Sequence, residues 1–136
     1  MILVDTNVLI ALVDPRDSLH ARACADLKRL VRKPLGVTIP VLTEAAFALP
    51  ARHHRARLRA ILQEFRVRVI DGSAVDVEEI FVWLDDYHDH DPDWADAHLA
   101  VLSGHQSTWR IWTYDTEFTT VWRRPDGTRI PLAPRQ

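Results

Sequence analysis

The chain opens Met1-Ile2-Leu3-Val4-Asp5-Thr6-Asn7. Ile2, Leu3 and Val4 form an unbroken apolar run, not an alternating one, which is how a strand covered on both faces reads. Such a strand belongs to a parallel sheet with helices above and below it. The run stops at a carboxylate, Asp5. Open α/β sheets form their ligand crevices beyond the C-terminal tips of their strands. Asp5 is therefore a candidate site residue, and the rest of the chain is read for acids that can converge on it.

Apolar and turn-forming segments alternate from there on. Val8 to Val13 reads as a helix stopped by Pro15, and Ser18 to Lys33 as a second, capped by Ser18. Gly36 to Ile39 is a short strand, Val41 to Leu49 a mostly apolar helix, and Ala51 to Phe65 an amphipathic one. Arg66 to Asp71 reads as a third strand. Ser73 and Asp76 resemble a capping box for a helix whose core face is Val77, Ile80, Phe81 and Leu84. After a polar loop from Asp85 to Asp91, Asp91-Pro92 opens a helix from Asp93 to Gly104. Trp109 to Asp115 reads as a fourth strand, ending in an acid as the first does. Residues 122–136, with Pro125, Gly127, Pro131 and Pro134, read as an irregular tail or a short edge strand at Arg129-Ile130. This alternation predicts an α/β fold: a three-layer α/β/α sandwich around a mainly parallel sheet of four or five strands. At 136 residues the chain reads as a single domain over 1–136.

Four acids stand where an acid is unexpected. Asp5 and Asp115 end apolar strands, Glu44 interrupts an apolar helix, and Asp96 shares a helix face with Ala97, Ala100 and Gly104. Asp93 lies one turn earlier on that face. Each has a plainer account: Asp5 capping the following helix through the Thr6 or Asn7 amide, Glu44 at a surface, Asp93 and Asp96 complementing a helix N-terminus, Asp115 opening a turn. Clustered carboxylates repel, and a hard divalent cation is the usual remedy; oxygen-only ligands suit Mg²⁺ or Mn²⁺. A cation so held can activate water and offset charge on a phosphodiester.

The same residues resemble the motifs of PIN domains, and in length and order the VapC-like toxins of bacterial toxin–antitoxin pairs. They are Asp5-Thr6-Asn7 after an apolar strand, Glu44 in an apolar helix, Asp96-Ala97-x-x-Ala100, and Thr113-x-Asp115-x-x-Phe118. The resemblance covers about 120 residues. It implies a metal-dependent endoribonuclease with Asp5, Glu44, Asp96 and Asp115 as the metal-binding acids. Asn7, Thr113 and Thr6 would support them, with Asp93 as a further candidate ligand at a position that varies in the family. It also implies an RNA substrate, an antitoxin partner and a homodimer. The loop from Asp85 to Asp91 and the Trp-rich end, with Trp109, Trp112 and Trp122, are not family hallmarks.

Other features narrow the alternatives. Phosphatases of the haloacid-dehalogenase type also place an Asp after the first strand, but they need a second Asp two residues on, where this chain has Asn7. A PIN nuclease of RNA processing without an antitoxin, and a PIN-like binding module without catalysis, stay open. Cys24 is the only cysteine, so no intrachain disulfide and no cysteine-clustered metal site can form. With no leader-like start and no membrane-length apolar run, the expectation is a cytoplasmic protein. The net charge of -2 conceals a segregation: residues 52–68 are Arg-rich and 71–96 acidic. Arg52, Arg55 and Arg59 share a helical stripe that could meet RNA phosphates or an acidic partner.

Overall fold

The structure, a computed structural model, describes residues 1–134. Five strands form one sheet: β1 (Ile2–Val4), β2 (Leu35–Thr38), β3 (Arg68–Ile70), β4 (Arg110–Trp112) and β5 (Leu132–Ala133), in the order β3-β2-β1-β4-β5. All four pairings are parallel. The helices are α1 (Thr6–Val13), α2 (His20–Leu30), α3 (Ile39–Ala48), α4 (Arg52–Glu64), α5 (Val77–Asp86), α6 (Trp94–His105) and α7 (Glu117–Thr120).

The chain moves outward from β1 to β2 and β3, then jumps back across the sheet to β4. Crossovers between parallel strands are right-handed. The two directions of travel therefore send α1 to α4 over one face and α5 with α6 over the other, giving the α/β/α sandwich. Packing agrees: α1 lies against α2, α3 and α4, and α5 against α6. Ile2, Leu3 and Val4 are buried, as a strand between two helical layers requires. The strand order reverses between β1 and β4, so their C-terminal tips flank the topological switch point.

Several boundaries differ from the pattern reading. Ser18 does not cap α2; Leu19 stands at the cap, and its amide donates to Asp17 Oδ1 instead. The cap of α5 is Asp76, with Ser73 in a separate 3₁₀ turn, and Val77 and Phe81 are exposed while Ile80 and Trp83 are buried. Trp83 wins the core position because its indole N–H donates to the Arg123 carbonyl at 2.9 Å and its ring meets Trp122. The expected loop at 85–91 is the end of α5 followed by a 3₁₀ turn, His88–His90. Asp91 takes a left-handed conformation, and Asp93, not Asp91, caps α6. Gly104 is exposed and faces Pro125 rather than the sheet. β4 stops at Trp112, three residues short of Asp115. The tail supplies its edge strand at Leu132–Ala133, not at Arg129-Ile130, and its last residues, 135–136, lie outside the described residues.

Candidate active site

Asp5 follows the last residue of β1 and is the N-cap of α1: its Oδ1 accepts the Thr6 amide at 2.7 Å. Its own amide donates to the Trp112 carbonyl at the end of β4, which locks the two strand tips together. Its Oδ2 accepts from Thr113 Oγ1 at 2.7 Å and from Asn7 Nδ2 at 3.2 Å. Asn7 bridges the same loop from the other side, its Oδ1 accepting the Tyr114 amide at 3.1 Å. Thr113 Oγ1 also accepts the Asp115 amide at 3.0 Å, and Asp115 Oδ1 accepts the Glu117 amide at 2.9 Å, which starts α7. Asp5 is only 4% exposed. Burial pushes its carboxyl up to about 6, against the lowering effect of the Thr113 and Thr6 hydrogen bonds, and the charges of Asp115 and Asp93 add to the rise.

The remaining acids arrive on helices. Thr38 caps α3 and Pro40 sits in its first turn, so Glu44 is presented one turn later on the half-buried side. Its Oε2 accepts from Thr6 Oγ1 at 3.0 Å. Asp93 and Asp96 form a reciprocal capping box at the start of α6. Asp96 N donates to Asp93 Oδ1 at 2.8 Å, and Asp93 N to Asp96 Oδ2 at 3.3 Å. Burial, then the charges of Asp93 and Asp5, push Asp96 up to about 9. Glu44 is raised by burial first and by Asp93 second. No cation pairs with any of these five acids among the described residues.

Asp5, Thr6, Asn7, Ile10, Glu44, Asp93, Asp96 and Asp115 line one open cavity of ≈ 250 Å³. The structure thus brings together the acids singled out in the sequence, with Thr113 bonded behind Asp5. Arg52, Arg55 and Arg59 stand exposed on α4 and do not line this cavity. Arg55 instead donates to the Pro50 carbonyl. Asp26 went unmarked in the sequence, because an acid among arginines at helical spacing reads as a solvated face. It is nevertheless 7% exposed, and its only advance signal was Arg22 and Arg29 at helical spacing on either side.

The donor set fits a hard divalent cation in chemistry: all carboxylate and hydroxyl oxygens, mutually repelling, with the raised proton affinities of Asp5, Glu44 and Asp96 being ones a cation would displace. Among the described residues no three or more acids, His or Cys are already drawn together as a ligand cage. Oxygens of Asp96, Glu44 and Asp5 are instead engaged by protein donors. Direct ligation would draw these side chains inward, and a cation that keeps several waters asks little of that movement.

The model of the PIN domain family matches residues 2–122, and the chain belongs to that family. The solved structures it resembles include VapC20 of Mycobacterium tuberculosis, described as a Sarcin-Ricin loop cleaving toxin. The identity is 25% and the TM-score 0.70, over 88% of this chain and 94% of that one. VapBC2 of Rickettsia felis, solved on a DNA fragment from their promoter, shares the fold at 14% identity and a TM-score of 0.68, over 97% of each chain. No curated protein matches. No helix among the described residues is long and apolar enough to cross a membrane.

Proposed function

We infer that this protein is a Mg²⁺- or Mn²⁺-dependent endoribonuclease, the toxin of a toxin–antitoxin pair, acting as a single domain in the cytoplasm. One observation carries the reading: in a chain of the PIN family, Asp5, Glu44, Asp96 and Asp115 line one cavity at the sheet's switch point. The 25% identity to VapC20, over nearly the whole of both chains, supports the toxin assignment; an antitoxin partner and a homodimer are part of the same reading. Asp5, Glu44, Asp96 and Asp115 would hold the cation, with Asp93 beside them. When bound, the cation supplies an acidified water and charge neutralisation for the phosphodiester. The protein's own part is positioning. Thr113 and Asn7 fix Asp5 through Oδ2, and Thr6 fixes Glu44. The backbone amides at the starts of α1 and α6 hold Asp5 and Asp96 from behind.

The test is RNA cleavage by purified protein with Mg²⁺ or Mn²⁺. Supporting groups around metal sites are worth roughly 10–100-fold, so Asp5→Asn and Asp96→Asn should each lose about 100-fold or more. Cleavage equal to the parent's by both variants overturns the assignment. Calorimetric titration with Mn²⁺ separates an enzyme from a metal-free binding module.

A further inference from the structure

A cleft larger than the acid cavity lies beside it. It measures ≈ 510 Å³ and is lined by Arg22, Asp26 and Arg29 of α2, by Thr113 to Thr116 and Thr119, and by Leu132 to Pro134 at β5. Asp115 lines both, so the two spaces share a wall. The cleft is built around a buried carboxylate. Asp26 Oδ2 accepts from the Tyr114 hydroxyl at 2.7 Å, and that hydroxyl accepts from the Trp112 indole at 3.2 Å. Arg22 Nε stands 4.0 Å from Asp26 Oδ2, and Arg29 Nη1 3.5 Å from Oδ1. The Arg22 guanidinium also lies 4.5 Å over the Tyr114 ring. One acid is thus shared by two arginines, each with donors to spare, so the α2 side of the cleft carries an excess positive charge, while Asp115 on the wall shared with the acid cavity balances the lining as a whole.

That charge has a use in this place. The cluster of acids beside it repels any polyanion. A strand entering the acid cavity therefore needs cations close by, held so that they do not collapse onto those carboxylates. Asp26 stands beside both arginines and the Tyr114 ring lies under Arg22, with the apolar Leu132, Ala133 and Pro134 also lining the cleft. We propose that this cleft is a subsite for single-stranded RNA, in which Arg22 and Arg29 contact the phosphates next to the one over the acid cavity. The proposal rests on the ribonuclease reading and names where its substrate strand runs.

The experiment is binding of a short single-stranded oligouridylate without divalent ions, titrated against salt. Each phosphate contact to a single strand contributes about 0.7 to the slope of log K against log salt. Arg22→Gln with Arg29→Gln should lower the slope by roughly 0.7 or more and weaken binding at low salt. Because that pair also touches Asp26, Thr119→Glu is the second variant. It adds a carboxylate at an exposed position of the cleft and leaves the Asp26 contacts alone, and it should weaken binding in the same direction. Slopes and affinities equal to the parent's in both variants overturn the proposal. So does a slope that falls only on changing Arg52, Arg55 and Arg59 together to Gln, or no oligouridylate binding by the parent. If these variants instead lose an acidic protein partner while keeping RNA, the cleft is a protein surface and the proposal fails. Cleavage is scored separately: a parent that binds with this slope but never cuts refutes the nuclease reading, not the subsite.

Discussion

The acid cavity has two halves that are held in different ways. On the side of β1 and β4, Asp5 is gripped by three side-chain and backbone donors, and two of them, Asn7 and Thr113, are themselves bonded across the strand tips. On the side of α3 and α6, Glu44 has one hydroxyl partner, and Asp93 and Asp96 hold each other's backbone amides. The first half is a fixed network in a buried place. The second is helix-capping chemistry that also presents charge. The plainer account of Asp93 and Asp96 as caps is therefore correct, and it does not compete with a site role, since each carboxylate has a second oxygen.

The electrostatic difference gives the largest expected effect. An acid raised in the folded state keeps a proton that the unfolded chain has released. For Asp5 this holds from 3.8 up to about 6, and for Asp96 from 3.8 up to about 9. Across those windows the unfolded state binds fewer protons, so stability falls as pH rises. The Asp5 shift alone corresponds to roughly 3 kcal/mol at neutral pH. In chelator, the melting temperature should therefore drop between about pH 4 and 7, and Mn²⁺ should restore it more at pH 8 than at pH 5. Thermal scans of Asp96→Asn should show a shallower decline above pH 6. A parent curve that rises over that range would refute the clustered-charge account.

Cutting the fixed half comes next. Thr113→Val removes one donor to Asp5 and one acceptor for both the Asn7 amide and the Asp115 N–H. Cleavage should fall about 10–100-fold, with a stability loss on the order of 1–3 kcal/mol from the unsatisfied groups. Single-turnover rates and urea unfolding measure the two. The helical half should respond more gently. Asp93→Ala loses the cap and should cost about 1 kcal/mol, whereas Asp93→Ser keeps the cap and removes only the charge. If both lower cleavage equally while only the first lowers stability, Asp93 acts through its charge. If cleavage follows stability, it is a cap alone. The smallest effect belongs to the outer face of α3, where Phe47 is 89% exposed. Phe47→Ser should change stability by no more than about 0.5 kcal/mol and leave the cleavage rate of the isolated protein alone.

Much of this was legible beforehand, for reasons that differ by element. β1 was readable because a strand covered on both faces needs no partner to explain its composition. Asp5, Glu44, Asp96 and Asp115 were readable as exceptions: an acid is conspicuous in apolar surroundings. What failed was any judgement that depended on a neighbour far along the chain. Helical spacing alone could not say that Trp83 would take the core and leave Val77 and Phe81 outside, since the Arg123 carbonyl and Trp122 decide that. Nor could it say that β4 would end at Trp112, whose carbonyl is taken by the Asp5 amide.

The sequence by itself determined that this chain builds a parallel sheet with an acid at the tip of its first strand. A buried apolar run and a following cap are local chemistry. Only the tertiary structure decided that β4 would lie beside β1, because a strand pairing across more than 100 residues leaves no local trace. That pairing makes Thr113 the support of Asp5. It also turns Asp26, an ordinary acid among arginines in the sequence, into the buried anchor of two arginines in a cleft beside the site.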